Sequence, residues 1–96
     1  MLEIQVPYKE GDVVTLKLSS GEELVTKLVK ENKDSLTVQM PLTLVATEQG
    51  MSLAPYLFTI TPDTKLDIRL NSVITIVKSA EDTAKGYTSQ TSGLIT

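Results

Sequence analysis

The chain contains no cysteine and no histidine. Without cysteine it can form neither a disulfide framework nor a thiolate metal site. Without histidine it also lacks the commonest general base, and the two absences together remove the usual ligand sets for zinc. We therefore expect no tightly held transition metal and no cofactor.

Catalysis by carboxylates is the chemistry that these absences leave open. The nearest acidic pairs are Glu22 with Glu23 and Asp63 with Asp67. The two glutamates follow a turn glycine and Asp63 follows Pro62, so both pairs are typical of solvated strand ends and turns. We therefore expect that the protein is not an enzyme.

Long apolar runs and an excess of positive charge are also missing. No segment approaches the roughly 20 apolar residues of a membrane span, and residues 1–12 lack the basic start and apolar run of a secretory signal. We expect no membrane partner. The formal net charge is −3, which has the wrong sign for coating a phosphate backbone, so a nucleic-acid site would need local positive groups.

What the chain does contain is typical of one small globular domain. Its 96 residues are 41% hydrophobic and 22% charged, values that predict a single domain over residues 1–96. A domain of this size buries a modest core, so burial against a second subunit would help to stabilise it.

Alternating apolar and polar residues predict short strands joined by tight turns. Val14, Leu16 and Leu18 give one such pattern. The longest one carries Pro41 on its opposite face, which indicates an edge or a bend. The predicted strands cover residues 12–18, 23–31, 36–46, 65–70 and 73–77, the last two as a hairpin, whereas residues 51–60 form either a strand or a covering loop.

A helix is predicted over about residues 80–91. Ser79 and Asp82 have the spacing of a capping box, and Tyr87 shares a face with Ala80 and Ala84 that could dock on the sheet. The fold predicted from all these elements is mostly β. It is a small, strongly bent antiparallel barrel of the SH3-like or OB-like kind over about residues 11–78, followed by this one short C-terminal helix.

Two segments resemble the motifs of the Sm-like family. Residues 11–37, "GDVVTLKLSSGEELVTKLVKENKDSLT", are similar to the first motif, and residues 68–76, "IRLNSVITI", to the second. Leucine at 70 follows the arginine where the family has glycine, and Thr26 stands at the family's bend glycine. Taken as a whole, the chain is most similar to Sm-like proteins of tailed phages that infect marine cyanobacteria.

The resemblance implies a ring of identical subunits that binds single-stranded RNA, with DNA as the alternative, in a bacterial host cytoplasm if a phage encodes it. Loops 32–35 and 69–72 would line the pore. Arg69 would stack on a base, Asn71 would bond the base edge, and Lys33 would contact phosphate. Asn32 belongs to the same expected site.

Simpler interpretations of these residues remain open at the level of sequence. Arg69 could be a solvated turn residue or could pair with Asp67 or Asp34. Tyr56 and Phe58 could stack on bases, although burial against the barrel or a neighbouring subunit is commoner for aromatic residues. A protein-assembly ring that has lost the base pocket is the alternative function.

Overall fold

The computed structural model describes residues 7–92, which form one antiparallel sheet followed by one helix. The strands are β1 (Val13–Leu18), β2 (Glu23–Glu31), β3 (Ser35–Thr47), β4 (Gly50–Pro55), β5 (Lys65–Arg69) and β6 (Val73–Lys78), and the helix is α1 (Glu81–Thr91). The predicted mostly β fold with a single C-terminal helix is thereby confirmed. Residues 1–6 and 93–96 of the predicted domain lie outside the described part.

Strand pairing runs β4-β3-β2-β1-β6, and β5 pairs with the first half of β3. The second half of β3 pairs with β4. The two ends of this path, β4 and β6, do not pair with each other, so the sheet is not closed. Each therefore presents one outer edge that no other described strand covers.

The prediction of a hairpin over residues 65–77 is wrong, because β5 and β6 pair with different strands. A short 3₁₀ turn, Leu70–Ser72, separates them. β5 pairs with β3 and β6 pairs with β1. Because this helical turn does not have the geometry of a hairpin turn, the two strands diverge after it and do not form a ladder with each other.

β2 is strongly bent, and this bend brings distant turns close together. The register between β2 and β3 shifts twice, once near Thr26 and once after Leu28. At one end of the bend the Ser19 N–H donates to Ser72 O (2.8 Å), and at the other the Leu70 N–H donates to Asp34 O (3.0 Å). In a flat sheet a nine-residue strand would hold its two end turns about 30 Å apart. Here a single 3₁₀ turn, about 6 Å long, spans the gap.

The alternation predicted for residues 36–46 is interrupted by a β-bulge. Val25 pairs with Leu42 and Lys27 with Gln39, so Met40 and Pro41 together oppose Thr26. Met40 has a φ of +53°, and Pro41 has no N–H to leave unpaired in the ladder. The expected bend at the proline is therefore present, and the strand changes the face to which it contributes.

Two apolar clusters lie on opposite sides of the bulged strands. The inner cluster consists of Val14, Leu16, Leu18, Leu24, Leu28, Leu36, Val38 and Ile68. The helix cluster consists of Val25, Leu42 and Tyr87. The predicted docking of α1 through Tyr87 is confirmed.

The predicted capping box at the start of α1 is absent. Ala80 is the N-cap residue and makes no side-chain capping bond. The Ser79 hydroxyl instead forms a hydrogen bond with the Thr15 hydroxyl (2.7 Å), because the end of β6 lies beside β1. Glu81 and Asp82 in the first turn complement the positive end of the helix dipole.

Candidate nucleic-acid interface

The candidate site forms where the two predicted loops meet. Arg69 lies opposite Ser35 in the β3–β5 ladder, and the Leu70 N–H donates to Asp34 O. The backbone itself therefore joins loop 32–35 to loop 69–72. This contact depends on the pairing of β5 with β3 rather than with β6.

The 3₁₀ turn accepts a leucine where the resemblance leads one to expect glycine. Arg69 is extended, with φ −69° and ψ 136°, and the Val73 N–H donates to Leu70 O, closing the turn. Among the described residues, Met40 is the one non-glycine residue with a positive φ. Leu70 consequently needs none of the conformational freedom of glycine, and the residue is 38% exposed.

Three predicted site residues present free polar groups at this surface. Lys33, Arg69 and Asn71 are all exposed. The ion pairs within residues 7–92 are Lys78 with Asp12 and Lys85 with Glu81, so the alternative pairing of Arg69 with Asp67 or Asp34 is not present.

Asn32, the fourth predicted residue, is half-buried and is bound within the protein. Its Nδ2 donates to Ser35 Oγ (3.0 Å) and to Thr37 Oγ1 (2.9 Å). The Thr37 hydroxyl in turn donates to Asp67 Oδ1 (2.5 Å). Both amide protons of Asn32 are therefore used inside the protein.

Sequence alone does not reveal Thr37 and Asp67 as members of this network. They face each other across β3 and β5, and a single sequence gives no signal for that register. In the sequence Asp67 stands out only as half of an acidic pair or as a partner for Arg69. Its carboxylate is committed instead to a hydroxyl on a neighbouring strand.

The charges at the site are balanced. Lys33 and Arg69 supply positive charge, and Asp34 and Asp67 supply an equal negative charge. A ligand would therefore gain little from the overall field and would depend on direct contacts.

The other acidic pair, Glu22 with Glu23, follows the turn between β1 and β2. The Ser20 hydroxyl donates to Glu22, and this hydrogen bond lowers the pKa of the Glu22 carboxyl below its ordinary value. A general acid would need the opposite shift. No cluster of acidic residues suited to holding a metal ion occurs within residues 7–92.

A separate apolar groove lies between the β3 bulge and the segment after β4. Its cavity volume is about 160 Å³, and its walls include Met40, Pro41, Pro55 and Phe58. Phe58 is 79% exposed, whereas Tyr56 packs partly against the inner cluster. Burial against the rest of the same chain, which is commoner for aromatic residues than stacking on bases, is thus observed in part for Tyr56 and is not observed for Phe58.

No protein-family model matches the chain, and neither does any curated protein. In the described part, no helix has the length and apolar character needed to cross a membrane.

Proposed function

We propose that the protein is a ring-forming, Sm-like protein that binds single-stranded RNA at loops lining a pore. The observation that carries this proposal is the hydrogen bond between Leu70 N–H and Asp34 O. It joins the two loops that the Sm-like motifs assign to nucleic-acid binding. Single-stranded DNA is the alternative ligand, and the bacterial host cytoplasm is the proposed location of a phage-encoded copy.

The strand arrangement supports an Sm-like barrel. The strong bend of β2, the pairing of β6 with β1, and the 3₁₀ turn before β6 together curl the sheet almost back on itself. Because β4 and β6 do not pair with each other, each of these strands keeps one outer edge free on every subunit. Pairing of β4 in one subunit with β6 in the next would cover both edges, and repetition of that contact can close into a ring.

Three exposed side chains at the loops, those of Arg69, Asn71 and Lys33, have a role in this proposal. The planar guanidinium of Arg69 stacks on one base, and the Asn71 amide bonds the edge of that base. Lys33 contacts a phosphate as a point charge. Lys33 and Arg69 are available because neither takes part in an ion pair within residues 7–92, and Asn71 is exposed.

Substitution of Arg69 tests the RNA site. Arg69→Ala removes a stacking surface worth about 1–3 kcal/mol per base, so it should weaken the binding of oligo-U and oligo-A while the oligomer survives. Arg69→Lys should restore only part of the affinity, because the ammonium keeps the charge and loses the plane. Binding would be measured by fluorescence anisotropy at several salt concentrations, with light scattering to follow the oligomer.

Two results would contradict this role. If lysine replaces Arg69 fully, and alanine reduces the salt dependence of binding, Arg69 is a phosphate contact. If both variants bind like the parent, or if the parent binds no RNA, the turn has no part in nucleic-acid binding.

A protein-assembly ring is the second candidate function. Exposed apolar side chains on the outer strands and on the segment after β4 favour it: Met51 is 63% exposed, Ile74 66% and Phe58 79%. The balanced charge of the loop surface also fits a ring that does not bind nucleic acid. A stable oligomer that binds neither RNA nor DNA would support this alternative.

A further inference from the structure

We propose that two copies of the protein meet in a two-fold contact, in which Phe58 of each copy enters the apolar groove of the other. The contact is made by residues 56–64, which we call the edge loop. It goes beyond the proposed function, because it uses neither the nucleic-acid surface nor the pairing of β4 with β6. Only the strength of the contact depends on the proposed ring.

The edge loop is an insertion within one long edge of the sheet. Leu42 of β3 pairs with β2 on one side and with Pro55, the last residue of β4, on the other. Gln39 likewise pairs with β2 and with Lys65, the first residue of β5. β4 and β5 therefore follow each other along the same side of β3, and the edge loop lies opposite the two bulge residues alone. Its extra length is not needed to continue the ladder, which is typical of loops that carry a function.

Hydrogen bonds hold the edge loop near both of its ends. The Tyr56 N–H donates to Pro41 O (3.0 Å), and Gln39 Nε2 donates to Asp63 O (3.4 Å). The Thr61 hydroxyl donates to Asp63 Oδ1 (2.9 Å) within the loop itself. The shape of the loop is thus fixed by contacts inside one chain, which lowers the entropic cost of binding a partner.

The middle of the edge loop presents an apolar surface without charge. Leu57 is 41% exposed, Phe58 79% and Ile60 38%, and no charged residue occurs between Glu48 and Asp63. Two copies with a formal net charge of −3 repel each other. Because this repulsion is weakest where both surfaces are neutral, the edge loop favours a second copy of the same chain as its partner.

The groove at the edge loop has the size of one aromatic ring. Its cavity volume is about 160 Å³, and Leu57 and Ile60 line it together with the bulge residues. An apolar cavity of about 150 Å³ holds one benzene molecule. Phe58 is the single phenylalanine of the chain and the most exposed large apolar residue within residues 7–92. Each copy therefore carries both a projecting ring and a cavity that fits one.

A surface with a projection and a matching cavity pairs with itself by a two-fold rotation, which buries both features twice. Three exposed apolar residues are far fewer than the roughly 20–30 residues on each side of a stable interface, so one such contact is weak. In the proposed ring, cyclic symmetry orients the edge loops of all subunits alike. Several contacts then join two rings at once and reinforce each other through effective concentration. We therefore expect a particle of two rings.

Phe58→Ser tests the contact through the mass of the particle. The variant loses the projecting ring, so sedimentation equilibrium should give half the parental mass at the same concentration. Thr59→Ala is the matched control, because Thr59 is exposed in the same loop and supplies neither the ring nor a wall of the groove. Its particle should keep the parental mass. Ile60→Ser retains Phe58 but makes the groove polar, so it should also halve the mass.

The single phenylalanine also permits a direct measurement of its burial. Incorporation of 4-fluorophenylalanine labels Phe58 alone and gives one fluorine resonance. In the doubled particle the ring is buried, so its chemical shift should be nearly the same in H2O and in D2O. In the labelled Ile60→Ser variant the ring is exposed, and the shift should differ between the two solvents.

The outcomes distinguish this contact from the proposed ring. A parental mass in Phe58→Ser overturns the contact and leaves the ring standing, and a buried fluorine resonance in that case assigns the groove to another part of the same ring or chain. A dimer that Phe58→Ser converts to a monomer supports the contact and overturns the ring. A parent that is monomeric at all concentrations overturns both, as does, for the contact alone, a resonance that responds fully to the solvent in the parental particle.

Discussion

Tyr87 joins the helix to the sheet through both its ring and its hydroxyl. The ring packs between Val25 and Leu42. The hydroxyl donates to Gln39 O (2.8 Å) and accepts the Lys27 N–H (3.2 Å). Burial raises the pKa of Tyr87 to about 12, so the folded protein holds this proton at a pH where an unfolded chain releases it.

Tyr87→Phe should lower the free energy of unfolding at neutral pH and raise it, relative to the parent, at high pH. At pH 7 we expect the variant to be less stable by about 0.5–1.5 kcal/mol because it loses hydrogen bonds. Above pH 10 the unfolded parent binds fewer protons than the folded one, so parental stability falls with pH. The two free energies of unfolding should become equal between about pH 10 and pH 11.

Urea denaturation of both proteins between pH 7 and pH 12 would measure this crossing. Ionisation of the other side chains is common to both proteins and cancels in the difference. A difference that stays constant across this range would show that Tyr87 does not titrate with a raised pKa.

The exposed and the half-buried residues of the candidate site differ in how far sequence could predict them. A motif and two turns mark the positions of Arg69, Asn71 and Lys33, and the structure leaves all three exposed where the two loops are joined. The hydrogen bonds of Asn32 could not be predicted in this way, since they depend on Thr37 and on Asp67, which lies 30 positions beyond Thr37. Such a network requires the register of β5 against β3.

Two glycines in different elements provide a matched test of backbone conformation. Gly50 begins β4 with a φ of +118°, whereas Gly86 lies within α1, and a Cβ added at either position would meet no atom within 4 Å. Substitution by alanine therefore changes the backbone preference at both positions and crowds neither. Only Gly50 adopts a conformation that L-residues avoid.

We expect the two substitutions to have opposite signs. Gly50→Ala should destabilise the protein by at least about 1 kcal/mol, and Gly86→Ala should stabilise it by about 1 kcal/mol. Thermal melting followed by circular dichroism would compare them. Equal effects in the same direction would contradict the conformation assigned to one of the two elements.

Among the elements, local patterns predicted the strands better than their partners. Val14, Leu16 and Leu18 alternate as expected, and all three are buried. The hairpin and the capping box failed because each competed with a contact from a distant part of the chain. β5 pairs with β3 instead of β6, and the Ser79 hydroxyl bonds the Thr15 hydroxyl instead of capping the helix.

At the scale of the whole molecule, the two outer strands are chemically similar in spite of their distance in sequence. β4 exposes Met51 and β6 exposes Ile74, each by more than 60%. Both strands also have an edge that no other described strand covers. An exposed apolar edge favours pairing with another chain.

Engineered cysteines would show which edges meet. The chain has no native cysteine, so Met51→Cys and Ile74→Cys each introduce the sole thiol of their variant. Head-to-tail pairing predicts that a mixture of the two variants forms disulfide-linked dimers, while neither variant does so alone. The double variant should yield a ladder that ends at a closed ring of about five to seven subunits.

Non-reducing electrophoresis and light scattering would follow these products. Covalent dimers of a single variant would indicate a two-fold contact between like edges. If the protein is a monomer at all working concentrations, the proposed ring does not form, because neither edge pairs with another subunit.

The bulge at Met40 and Pro41 makes β3 common to both apolar clusters. Before the bulge this strand supplies Leu36 and Val38 to the inner cluster, and after it Leu42 packs against the helix. Unfolding of β3 would disrupt both clusters at once. Dissociation of the helix would expose Leu42 to solvent, in the same strand that supplies the inner cluster. The helix and the sheet thus form a single cooperative folding unit. The slowest-exchanging amide protons of both should therefore exchange with solvent only when the whole domain unfolds.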